Sequence, residues 1–115
     1  MEEALIKRVL PHSIEAEQAV IGAMLMDKEA ILTSSEIISG EDFYQSAYGI
    51  LFETIVELFN EGKPVDLITL QNRLREKDVP AEVSSLEFAR DLLSAVQTSA
   101  NVKYYAEIVS EKAML

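Results

Sequence analysis

One short stretch of the chain carries side chains whose types and spacing suggest chemistry: PHSIEAEQ, residues 11 to 18, with His12, Glu15 and Glu17. An imidazole and two carboxylates can hold a divalent metal or move a proton. The spacing argues against both. Ser13 is a good helix N-cap, so Ile14 begins a helix, and both glutamates fall in its first turn, where the positive end of the macrodipole favours carboxylates. At about 100° per residue they point roughly 200° apart and cannot share one ion or one proton. His12 precedes the cap and reads as a solvated loop residue. A phosphate loop needs G-x-x-x-x-G-K-[ST]; the only Gly-Lys pair, Gly62-Lys63, is followed by Pro64 and has Glu57 in place of the first glycine. A Ser-His-Asp relay would depend on His12, with nothing to orient it. The sequence therefore predicts no catalytic residues, no metal site and no cofactor site.

The elements that would position any site are helical. No segment alternates apolar and polar residues long enough for a half-buried strand, while five segments repeat at i, i+3, i+4, i+7. The expected fold is all-α, a compact bundle of about five to six helices. In the first helix, 14 to 26, apolar residues cover most of the circumference and leave a narrow polar stripe of Glu15, Gln18 and Gly22, so it belongs at the centre. Ala16, Ala19 and Ala23 form a small-residue face that lets a neighbour approach closely. A segment of about two turns follows between Lys28 and Ile38. Gly40 breaks it before EDFY, whose Phe43 and Tyr44 are expected to plug the core from a turn.

From Ala47 the strongest amphipathic pattern runs through Leu51, Phe52, Ile55 and Leu58, with Glu53, Glu57 and Asn60 on the wet side, until Gly62 and Pro64 stop it. Asp66 caps LITLQNRLREK, where Leu67, Leu70 and Leu74 face inward. Its Arg73, Arg75 and Lys77 make the one basic cluster, read as a solvated face with a partner-binding patch as the alternative. Ser84 and Glu87 have capping-box spacing ahead of a fifth helix with Leu86, Ala89, Leu92, Leu93 and Val96 inward. The last segment begins after Ser99, and its stripe of Val102, Tyr105, Ala106, Val109 and Ala113 reaches the end without a stop signal. It reads as a helix cut in the middle, part of a longer protein.

Composition narrows the function classes. A chain of 115 residues is most simply one domain able to bury roughly two thirds of its unfolded surface. No apolar run spans a bilayer and MEEALIKRVL lacks a signal-peptide core, which predicts a cytoplasmic protein with no membrane contact. The absence of cysteine removes disulfides and thiolate chemistry. Residues 1 to 62 hold three basic side chains against twelve acidic ones, net −9, and residues 63 to 115 hold seven against eight, net −1. Binding phosphates means replacing their counterions with Lys and Arg, so direct nucleic-acid binding is not expected.

Four stretches in order, PHSIEAEQAVIGAML, EDFY, GKPVDLITL and SANVKYYAEIVSEKA, resemble the N-terminal domain of the bacterial replicative hexameric DNA helicases, the DnaB family. The resemblance runs from about Leu10 to Leu115. It implies a helical head followed by a hairpin that pairs protomers, six of which form a collar over a motor ring and recruit primase. Residues 1–12 would then be an arm, 13–98 the head and 99–115 the start of the hairpin. ATP, magnesium and DNA-gripping loops would belong to a motor domain beyond residue 115. The implied partners are other helicase subunits, the primase C-terminal domain and a helicase loader. Glu15, Phe88, Tyr105 and Val109 are the candidate partner contacts. Two positions depart from the family pattern, which leads one to expect a His near Tyr48 and a residue larger than Gly49. The helicase-binding domain of a primase, or an unrelated acidic all-α adaptor, is the alternative; the motif order favours the helicase.

Overall fold

The computed structural model describes residues 13–81, 83, 86–94 and 100–114. Six α-helices are present among them: α1 Ile14–Met26, α2 Lys28–Ile37, α3 Ser46–Asn60, α4 Leu67–Glu76, α5 Leu86–Ser94 and α6 Val102–Met114, with a 3₁₀ turn at Gly40–Asp42. No strand occurs among the described residues, so the all-α expectation holds.

Local chemistry sets most helix ends. Ser13 caps α1, its hydroxyl accepting from the Ala16 N–H at 3.2 Å. Asp27 serves two helices, its N–H closing α1 on the Ala23 carbonyl while its carboxylate accepts from the Glu29 N–H at the start of α2. Asp66 and Thr69 form a reciprocal capping box on α4. At the end of α3, Gly62 takes φ +76°. Its N–H donates to the Phe59 carbonyl and that of Lys63 to the Leu58 carbonyl, the paired bonds of a Schellman stop.

Helix α1 is central as expected, packing against α2, α3, α5 and α6. Val20, Ile21 and Met24 of α1 join Ile31 of α2, Leu51, Phe52 and Ile55 of α3, Leu70 and Leu74 of α4, and Leu92 of α5 in one core. Phe43 closes it from below the turn, its ring 5.3 Å from that of Phe52. Where α1, α2 and α6 meet, Ala23, Ala30 and Val102 form a second buried cluster, so small side chains do admit a close neighbour there.

Several expectations change. Helix α2 spans ten residues, nearly three turns, because Asp27 starts it cleanly and its last residue is Ile37. Only Phe43 of the EDFY pair enters the core. The Tyr44 ring stays about half exposed, because the turn that aims residue 43 inward aims residue 44 outward. Gly22 is buried and Met26 exposed, so the polar stripe of α1 is shorter than its sequence suggests. The apolar stripe of α6 is covered within the chain, with Val102, Ala106 and Val109 packed on α1 and α2, while Ala113 is exposed. Residues 1–12, Ser84, Val96, Ser99 and Leu115, and the proposed boundary at 98/99, lie outside the described residues.

The basic cluster is neither a solvated face nor an open patch. Arg73, 16% exposed, reaches Glu57 at 3.1 Å and Glu61 at 2.7 Å, and Lys77 reaches Glu57 at 2.6 Å and the Thr54 hydroxyl at 3.1 Å. These bonds tie α4 to α3, so two of the three cations are spent inside the chain. Arg75 alone points to solvent.

Candidate functional site

Glu15 and Glu17, two residues apart, meet opposite fates. Glu15 is exposed, whereas Glu17 is 2% exposed and accepts from the backbone N–H groups of Tyr44 at 2.8 Å and Gln45 at 3.1 Å. Gln45 stands at the N-cap of α3 and makes no side-chain capping bond there. The carboxylate of α1 instead holds the two residues that lead into α3, reaching their amides from across the core. The chain thus holds the start of α3, and with it Tyr48, at a set distance from α1.

Tyr48 lies in the first turn of α3, 6% exposed. Its hydroxyl accepts from the Gln18 side-chain amide at 2.9 Å, and its ring stacks on Phe88 of α5 with centroids 5.7 Å apart and planes 11° from parallel. Gln18 sits three residues after Glu15 on the same face of α1. A chain of contacts therefore leads from Glu15's face of α1, through Tyr48, to the half-buried Phe88.

Tyr105 joins Glu15 on another side. Ser13, Glu15, Ala16 and Ala19 of the α1 region and Tyr105 and Ile108 of α6 line a groove of ≈350 Å³. Tyr105 is half-buried, and Tyr104 and Ile108, one turn apart on α6, are 66% and 37% exposed. Val109 differs: at 1% exposure it is sealed in the core and offers no side chain to a partner while this packing holds. Three of the four candidate contacts thus stand at or near the surface around α1, and the fourth supports α6 from beneath.

The arrangement suits binding better than chemistry. A wider depression of ≈970 Å³ between the 3₁₀ turn, α3 and the segment after α4 is lined by Glu41, Glu53, Lys77 and Asp78, but Glu53 is bonded to the Gly40 N–H and Lys77 to Glu57. Among the described residues no group of three or more His, Asp or Glu side chains converges for a metal. His12 lies outside them. No helix among them is long and apolar enough to cross a membrane.

Sequence reasoning missed the roles of Glu17 and Tyr48. A signal existed for Glu17: on a helix apolar round most of its surface, two carboxylates roughly 200° apart cannot both lie on one narrow polar stripe. Tyr48 stands out as a departure from the family pattern, but its partners cannot be read, since they come from helices 30 and 40 positions away in sequence.

Comparison with known proteins agrees with this architecture. Residues 9–111 match the family described as DnaB-like helicase N terminal domain. Over all 115 residues the chain is 42% identical to the replicative DNA helicase DnaB of Geobacillus stearothermophilus and 37% to the replicative DNA helicase DnaC of Bacillus subtilis, and it spans 25% of the length of each. The crystal structure of the N-terminal domain of DnaB helicase from Mycobacterium tuberculosis superposes with a TM-score of 0.87 at 35% identity, over 91% of this chain and 75% of that one. The N-terminal domain of the Helicobacter pylori DnaB helicase, described with its interactions with primase, shares the fold at a TM-score of 0.72 and 20% identity, over 87% of this chain and 77% of that one. From the capped central helix to the family match over nearly its whole length, the chain belongs to the DnaB-like helicase N-terminal domain family.

Proposed function

We propose that the chain is the non-catalytic collar domain of a replicative DNA helicase, which pairs helicase subunits and recruits primase at the replication fork. The observation that carries this reading is the surface α1 and α6 build together. Glu15, Tyr105 and Ile108 line one groove, and Tyr104, one turn from Ile108 on the same side of α6, leaves a large side chain in water beside it. Such a face on a small domain is what a neighbouring protein covers. Phe88, reached through Tyr48, extends the surface toward α5. The primase interactions described for the Helicobacter pylori domain support the recruitment half of the reading.

In this reading ATP and magnesium belong to a motor domain C-terminal to this one, for which the greater length of the relatives leaves room. A helicase loader is a further partner. The domain works in the cytoplasm and leaves DNA to the motor, as its net charge of −10 favours. Calorimetry of the full-length helicase against the C-terminal domain of primase from the same organism tests the reading. Saturable binding is expected, weaker with the 115-residue chain alone. No binding to the assembled helicase overturns the recruitment role.

A further inference from the structure

We infer that Tyr48, which no partner can reach, is a positioning residue for the primase-facing surface and sets its affinity by holding Gln18 and Phe88 in place. The inference rests on the proposed recruitment of primase and takes Phe88, one of the candidate partner contacts, as part of the surface that meets it. Three observations carry it. Tyr48 is 6% exposed, so its own contact with a partner is negligible. Its two ends meet two different helices: the hydroxyl takes the Gln18 amide of α1 at 2.9 Å, and the ring face lies on Phe88 of α5 at 5.7 Å, nearly parallel. Its own helix is anchored independently, through the Glu17 carboxylate on the Tyr44 and Gln45 amides.

The physical consequence is preorganisation. Phe88 is partly buried, packed against the core as well as on Tyr48, so its ring is held on more than one side while part of it still reaches the surface. Gln18 is half-buried and lies one turn from Glu15 on α1. A side chain already held in its bound rotamer loses less entropy on association than one that must be ordered. An aromatic pair in offset stacking constrains the ring more than packing alone does.

The test measures affinity of the full-length helicase for the C-terminal domain of its primase, with the melting temperature, for four variants. Phe88→Ala removes the contact. Tyr48→Phe keeps the stack and removes only the acceptor for Gln18. Tyr48→Leu removes both. Ile31→Val, in the core on α2 away from this chain of contacts, controls for loss of stability alone. We expect Tyr48→Phe to weaken binding about three- to tenfold, the cost of ordering one side chain on association, Tyr48→Leu to weaken it further, and Ile31→Val to leave it unchanged. Combined with Phe88→Ala, Tyr48→Leu should add less than it does alone. If Phe88→Ala weakens binding while both Tyr48 variants bind like the parent, the positioning role is wrong and the contact stands. Ile31→Val and Tyr48→Phe lowering affinity alike overturns it too, since stability then explains both. Unchanged binding by Phe88→Ala removes the contact itself, and the inference with it.

Discussion

Two residues show how a side chain's type acquires meaning only from what faces it. Glu17 is a buried carboxylate whose partners are main-chain amides of another segment. Replacing it with Ala leaves those part-buried donors without this acceptor and opens a gap beside the core, for a combined cost of about 1–3 kcal/mol. We expect Glu17→Ala to lose about 2 kcal/mol in urea unfolding and to speed hydrogen exchange at Tyr44 and Gln45. A loss below about 1 kcal/mol, inside the range of ordinary surface substitutions, would count against the anchoring role. Gly49 is the second case. In a helix interior Ala is favoured over Gly by about 0.5–1 kcal/mol, so propensity alone predicts that Gly49→Ala stabilises. A Cβ there would stand 2.5 Å from the Gly40 carbonyl oxygen, a backbone atom that cannot step aside. Overpacking of this kind costs about 1–3 kcal/mol, so the net effect of Gly49→Ala is expected to be destabilising by about 1 kcal/mol, measured by the same unfolding experiment. The larger residue expected from the family pattern is excluded in this chain by the close approach of Gly40.

Between elements, the joint of α3 and α4 is electrostatic at its rim. Hydrogen bonds from Arg73 first, and from Lys63 second, hold the Glu61 carboxyl down from 4.5 to about 2, and Lys77 chiefly lowers that of Glu57. Both folded-state values lie below the unfolded ones. The stability they contribute is therefore complete above the unfolded value of 4.5 and is lost as pH falls toward the folded one, for Glu61 between about 5 and 2. Melting temperature is expected to fall across that window, and Arg73→Gln to start lower at pH 7 and fall less steeply. Because Glu57 and Glu61 are 42% exposed, salt screens the pairs. The gap between parent and Arg73→Gln should narrow in 1 M salt; a gap that persists would show that Arg73 acts through the packing of its stem.

At the scale of the whole molecule, α6 has two faces with different work. Val102, Ala106 and Val109 bind it to α1 and α2, while Tyr104, Ile108 and Met114 face water. With the inner stripe already covered, the proposed collar role would fall to the outer one. The 115-residue chain is expected to sediment as a monomer or a weak dimer whose association rises with concentration. Ile108→Glu should abolish the concentration dependence without lowering the melting temperature. A stable hexamer formed by the 115-residue chain would contradict this assignment of the surface.

The amino-acid sequence by itself determined the all-α class, the order of the helices, the caps at Ser13 and Asp66, the stop at Gly62 and the central place of α1. Each of these is settled within a turn or two of chain: a cap needs its own next three residues, a stop needs one glycine free to take positive φ, and a helix apolar round most of its circumference must be surrounded. The order of four motifs also carried the family. Tertiary structure alone decided the rest. Whether Glu17 or Glu15 is buried, which cations of the Arg73, Arg75 and Lys77 cluster remain open to solvent, why Gly49 must lack a side chain, and that Val109 is sealed while Tyr105 is not, all depend on residues beyond the local helix, from Gly40 nine positions before Gly49 to partners more than 80 positions away. Periodicity reports that a face is apolar; only the neighbour that arrives there settles how much of it stays exposed for a partner.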